Sequence, residues 1–207
     1  VSIEEPQAQL AGSMGDWTVN PQLPAISLKC GEISMAKEVL SIEVYTAGYR
    51  ILGRVKPGGV GLFSFINVPT HSYIVIEDAH MTRVQHPGKM VARNTKIWLV
   101  KRDIVAVVVS GKGEIGPAAV ARRGYASTDS HRVLISLAGY ELTGTIETAG
   151  KFQFGSVMFE GDRLFSALYD AELIHTTNPL MKASSSALLY NRARVESMAL
   201  LPQESGS

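Results

Sequence analysis

The five histidines of the chain, His71, His80, His86, His131 and His175, carry imidazole, the commonest metal ligand. Their spacing does not build a metal site. His80 and His86 fall on one expected strand and its following turn, with no carboxylate at ligand spacing, and read as loop or surface residues. Asp78 and Asp170 recur at equivalent places, and two carboxylates brought together would suit acid–base work. Each is followed by Ala at an expected strand bend, where Asp satisfies local backbone N–H groups, so a structural role is expected for both. Ser184-Ser185-Ser186 stands in no Gly-x-Ser-x-Gly elbow. Gly58-Gly59-Val60-Gly61 lacks the strand, helix and Lys-Ser/Thr context of a phosphate loop. No catalytic residues, no metal site and no cofactor are expected.

The basic residues offer a binding chemistry instead. Lys101, Arg102, Arg192 and Arg194 sit at matching turns, and Arg122 and Arg123 lie in the segment between them. If those turns converge, they form a positive patch for phosphates or for an acidic partner surface. If they do not, they are solubilising arginines at exposed turns. The formal net charge of +1 supplies no global field to steer the chain to nucleic acid or to an anionic membrane.

These turns match because the chain repeats. Ile42 to Val55 and Val133 to Ile146 share an alternating strand, Ala-Gly-Tyr, and a second strand containing Gly. Gly48 meets Gly139, Asp78 meets Asp170, Pro87 meets Pro179 and Trp98 meets Tyr190, always 91 or 92 residues apart. A repeat of this length is a duplicated domain rather than a solenoid unit. Each copy reads as about five short strands broken at Pro57-Gly58-Gly59 or Pro87-Gly88. Gly53 and Gly144 inside strands mark bulges or strong bends, of the kind a small closed or nearly closed sheet needs.

The expected organisation is an N-terminal arm over 1–40, with a short helix at Glu32 to Leu40, and a first β unit over 41–110. A linker over 111–130 follows, with a helical turn at Ala118 to Arg123, then a second β unit over 131–201 and a disordered tail over 202–207. With 45% hydrophobic and 19% charged residues, the 207-residue chain has the composition of an ordinary globular protein. The longest apolar run, Ile104 to Val109, falls far short of the roughly 20 residues of a membrane-spanning helix. Cys30 is the only cysteine, which excludes an intramolecular disulfide and fits a reducing compartment. Val1 to Pro6 has neither the basic start nor the apolar core of a secretory signal. A cytoplasmic location without membrane contact is the expectation.

Val133-x-Ile135-x-Leu137-x-Gly139, with Gly144 five residues later, Leu168-Tyr169-Asp170-Ala171 and a final strand pair from Leu188 to Leu200, resembles the Sm-like (LSm-type) fold. The resemblance covers about Ile42 to Val109 and Val133 to Leu200. It implies an all-β protein of two tandem, strongly bent, five-stranded barrel-like units with short helical connections, and units of this fold commonly assemble edge to edge. The pocket that RNA-binding Sm-like proteins build from an Asp and an Asn after the second strand and an Arg-Gly pair between the last two does not carry over. Glu147-Thr148-Ala149-Gly150-Lys151 and Phe159-Glu160-Gly161-Asp162 contain no such pair, Asn67 has no paired Asp, and Lys101-Arg102-Asp103 and Asn191-Arg192-Ala193-Arg194 lack the glycine. The chain is similar in this respect to uncharacterised bacterial Sm-like domains that occur as duplications.

The expected function is a non-catalytic binding or scaffold role, with self-association or another protein as partner through sheet edges or loop surfaces. A nucleic-acid-binding protein using the paired basic turns is the alternative.

Overall fold

The computed structural model describes residues 38–116, 119 and 128–202. The arm, most of the expected helix at Glu32 to Leu40, Arg122, Arg123 and the tail from 203 lie outside the described residues, as does the helical turn at Ala118 to Arg123 except for helical Ala119.

The protein is all-β. Its strands are β1 (Leu40–Thr46), β2 (Tyr49–Val55), β3 (Tyr73–Arg83), β4 (His86–Val100), β5 (Ile104–Val109), β6 (Thr128–Leu137), β7 (Tyr140–Ala149), β8 (Phe165–His175), β9 (Asn178–Asn191) and β10 (Val195–Leu200). Short helices α1 (Leu62–Ile66), α2 (Lys112–Ile115) and α3 (Phe154–Phe159) interrupt them, and 3-10 turns at Lys101–Asp103 and Arg192–Arg194 lead into β5 and β10. None of these helices is long and apolar enough to cross a membrane.

Among the described residues two closed barrels do not form. Their ten strands join one antiparallel sheet in the order β10-β6-β7-β8-β9-β5-β1-β2-β3-β4. Closing a barrel requires the first and last strands of a unit to pair, but the outer edge of β5 is occupied by β9 rather than β4. The two halves nonetheless follow the same internal order, with the fifth strand beside the first and the fourth at the far side.

Alternation of apolar residues drives this pairing. Ile42 and Val44 of β1 and Val133, Ile135 and Leu137 of β6 point inward with period two. Glycine supplies the bends where expected: the ladder shifts register around Gly53 and around Gly144. A Cβ on Gly53 would stand 2.9 Å from the Glu77 carbonyl oxygen, and one on Gly144 2.9 Å from that of Tyr169, so only glycine lets the crossing strand approach this closely.

Three sequence expectations shift. Pro87-Gly88 is not a break but lies inside β4, the hairpin turn falling at Val84 and Gln85; an edge strand tolerates Pro because the ladder needs no N–H on its open side. β4 and β9 run to 15 and 14 residues, longer than the short strands anticipated. Within the stretch read as linker, α2 forms and buries Ile115 in the first core.

Two cores result, and they meet at β5 and β9. Val107 and Leu189 belong to the first core, with Phe165, Tyr169 and Ala187 reaching into it from the second half. Ala106, Val108, Leu188 and Tyr190 belong to the second, with Tyr45 and Val84 from the first half. Both faces of the β5–β9 pair are therefore buried, which explains why every residue of β5 is buried. Each large apolar side chain fully buried in this way contributes about 1.5–3 kcal/mol.

Candidate functional site: the internal junction and two open edges

Lys101, Arg192 and Arg194 of the basic turns are tied to groups of the protein itself, and Arg102 alone of the four is displayed. Lys101 is buried, and its Nζ donates to the Val68 carbonyl at 2.8 Å; burial pushes its pKa down. Arg192, at the same place in the second half, donates to the carbonyls of Glu160 at 2.8 Å and Gly161 at 2.9 Å, and also to that of Arg163. Each cation thus ties down the loop that precedes the third strand of its own half. Arg194 Nε donates to the Arg102 carbonyl at 2.7 Å and its Nη2 to Asp103 Oδ1 at 2.8 Å. Arg102 itself is exposed, with Nε 3.9 Å from Asp103 Oδ2.

The recurrent aspartates have structural surroundings. Asp78 and Asp170 take φ of 48° and 46°, the left-handed region that Asp tolerates better than most residues. Asp78 pairs with Arg54, and Asp170 with Lys112 at 3.0 Å. Among the described residues no group of three or more His, Cys, Asp or Glu side chains could hold a metal.

What the turns do bring together is the junction between halves. β9 lies antiparallel to β5 with Ala106 opposite Tyr190, Val107 opposite Leu189 and Val108 opposite Leu188. Polar side chains pin it at several points. Asn191 Nδ2 donates to the Ile104 carbonyl at 2.8 Å and the Lys101 carbonyl at 3.3 Å. The Asn67 carboxamide accepts from Phe165 N at 2.9 Å and donates to Phe165 O at 3.1 Å, replacing a strand neighbour with a side chain. Tyr140 donates to the Thr46 carbonyl at 2.8 Å, Asn178 to that of Val84 at 2.7 Å, and Ser185 to that of Val109 at 2.6 Å. Buried polar groups in a junction are tolerated when paired in this manner.

At the two ends of the sheet the same strands lack a neighbour among the described residues. β4 pairs only with β3, and β10 only with β6. The ladders define the equivalences: Val75 faces Trp98 as Ala167 faces Leu189, and Tyr73 faces Val100 as Phe165 faces Asn191. The counterpart of Trp98 is therefore Leu189, and that of Tyr190 is Leu99. The spacing that matched Trp98 with Tyr190 is off by one because β4 absorbs an extra residue at a register shift beside Thr82. On the other end, Val195, Met198 and Leu200 face Leu137, Ile135 and Val133 as Ile104, Val107 and Val109 face Thr46, Val44 and Ile42.

The open ends expose what the junction buries. Trp98 is 65% exposed where Leu189 is 0%, and Leu200 is 55% exposed where Val109 is 3%. Tyr73 and Val100 on the β4 side are exposed as well, as are Phe154 and Phe159 of α3. Sequence reading placed the basic turns between the last two strands of each half but not these edges, because nothing local to β4 or β10 says which strand it will lie beside. The available signal was the difference between the repeats: aromatic Trp98 against aliphatic Leu189, aliphatic Val100 against polar Asn191.

Compared with known proteins, the chain matches no family model, no curated protein and no solved structure.

Proposed function

We propose that this protein is a non-catalytic, self-assembling scaffold of two tandem Sm-like units, in which β4 of one copy pairs with β10 of the next as β9 pairs with β5 inside the chain. The observation that supports this reading is the internal junction itself: it is a working example of the contact, built from counterparts of the residues left exposed at both ends. Transferred to the edges, its register places Trp98 opposite Met198, Leu99 opposite Ser197 and Ile97 opposite Ala199. The 3-10 turns are complementary too, since the Arg194–Asp103 pair of the junction would recur with Asp103 of one copy beside Arg194 of the next. An exposed edge strand flanked by large apolar side chains is a template for pairing. Because the two edges differ, the contact is head to tail, and it closes into a ring or continues as a filament according to the rotation between copies.

Size exclusion with light scattering, recorded at protein and nucleic-acid wavelengths, tests the proposal. The expected result is a mass several times that of the chain without nucleic acid, falling to the monomer in Trp98→Glu and in Leu200→Lys. A monomer at all concentrations overturns the reading. Co-eluting nucleic acid that is lost at high salt would overturn it in favour of the exposed basic residues.

A further inference from the structure

The two halves use their short helices differently. α1 and α3 begin 92 residues apart, as do β3 and β8, so Leu62 corresponds to Phe154, Asn67 to Phe159 and Tyr73 to Phe165. In the first half α1 reaches across the junction. It buries Leu62, Phe63 and Ile66, Asn67 at its end holds the backbone of Phe165 through its carboxamide, and Arg163 of the second half stands over the Phe63 ring at 5.1 Å. The helix of one half thus clasps the start of the third strand of the other. In the second half α3 buries Met158 alone. Phe154 and Phe159 pack edge to face at 6.0 Å and are both exposed, Phe159 by 74%.

We infer that α3 is a docking surface for a second copy of this chain, with Phe159 seated against Tyr73 of that copy as Asn67 is seated against Phe165 within the chain. This contact rests on the proposed head-to-tail pairing of β10 with β4, and it extends that pairing from the strands to the helix.

The clasp inside the chain is continuous with the strand junction. Phe165, held by Asn67, lies opposite Asn191 in the β8–β9 ladder, and Asn191 donates to the carbonyls of Lys101 and Ile104 at the start of β5. When β4 takes the place of β9 and β3 that of β8, the residue opposite Val100 at the start of β10 is Tyr73, and the helix end beside it is that of α3. Both members of the contact change together. Tyr73 is exposed where Phe165 is buried, and a ring at Phe159 replaces the carboxamide of Asn67. Phe159 cannot make the hydrogen bonds of Asn67 to a backbone, but it offers the Tyr73 ring the edge-to-face or offset packing that aromatic pairs favour. A single exposed aromatic needs no explanation. Two that stand for the two members of one existing contact, each left open in its own half, are complementary.

The test is cross-linking of full-length protein carrying Cys30→Ser with a short bismaleimide. Protein with Tyr73→Cys mixed with protein with Phe159→Cys should give a covalent dimer, and neither alone should, because each then presents its thiol at one end of the contact only. Ile97→Cys mixed with Ala199→Cys reports the strand pairing separately. Phe159→Ala should weaken association about tenfold, the loss of one anchoring side chain, while the dilute monomer melts as the parent does. A link between the strand positions without one between Tyr73→Cys and Phe159→Cys overturns the inference and leaves the strand contact standing. Failure of both pairs removes the two together. A Phe159→Cys thiol that maleimide cannot reach in dilute monomer overturns the inference as well, since that position is then covered within its own chain.

Discussion

Leu189 on β9 and Trp98 on β4 occupy equivalent places in the two halves, yet the first is wholly buried and the second is 65% exposed. The backbone around them is alike: each lies opposite a residue of the preceding strand in the same register, Ala167 for one and Val75 for the other. The difference is the next strand. Leu189 has Val107 of β5 beside it, whereas Trp98 has no second strand neighbour among the described residues. Burial in this protein is therefore set by what a strand edge meets as much as by the strand's own pattern.

That comparison can be broken most forcefully at its buried side. Leu189→Ala removes a side chain that belongs to the first core from a strand of the second half, and it should cost about 2–5 kcal/mol of folding stability by loss of burial and creation of a cavity. Trp98→Ala in dilute monomer should change stability by less than about 0.5 kcal/mol, while lowering the mass seen in concentrated solution. Urea denaturation at low protein concentration separates the two. Equal losses at both positions would mean that Trp98 is already covered within one chain.

A smaller effect sharpens the polar side of the same contrast. Asn191 sits where the first half has Val100, and it satisfies the carbonyls of Lys101 and Ile104 at the start of β5. Asn191→Val makes the second half like the first and leaves those acceptors without this donor, at a cost of about 1–3 kcal/mol. The converse change, Val100→Asn, should leave monomer stability within about 0.5 kcal/mol, since an exposed edge gives the amide no buried carbonyl to meet. Thermal melts of both variants against the parent measure the asymmetry.

How much of this was legible beforehand follows the range of the interactions. The Gly53 and Gly144 bends, the alternation of β1 and β6 and the strands flanking Lys101–Asp103 and Arg192–Arg194 are local, encoded within a few residues, and they fall where the sequence places them. The all-β class follows from them. The pairing of β9 with β5 was not legible, because Ile104 to Val109 reads as a buried strand whichever neighbour buries it. Closure into separate barrels was expected for the same reason: a bent five-stranded unit leaves one edge to satisfy, and only the second half shows that a different strand satisfies it. At the basic turns, residue type and position were legible while role was not. Lys101 and Arg192 look alike with any exposed turn cation until the Val68 and Gly161 carbonyls are placed beside them.

The smallest expected effect concerns the ends of β3 and β8. β3 closes on exposed Arg83, whereas β8 closes on His175, its counterpart, which is buried with its ring edge to face against Tyr140 at 4.8 Å. Tyr140 in turn donates to the Thr46 carbonyl across the junction, so the histidine supports a contact between halves. Nδ1 accepts from Thr177 N at 3.3 Å, which requires the unprotonated nitrogen. Burial lowers the pKa of His175 below its ordinary value of 6.5. Between that value and the lower folded one, the unfolded chain binds a proton that the folded chain refuses, so stability rises with pH across this window. Acidification from about pH 7 towards 5 should therefore lower the melting temperature, with part of the loss assignable to this one group. His175→Asn keeps an acceptor near Thr177 but cannot titrate, and it should flatten the slope between those limits while shifting the plateau above pH 7 only slightly. An unchanged slope in the variant would place the acid sensitivity elsewhere and leave the Tyr140 contact indifferent to protonation.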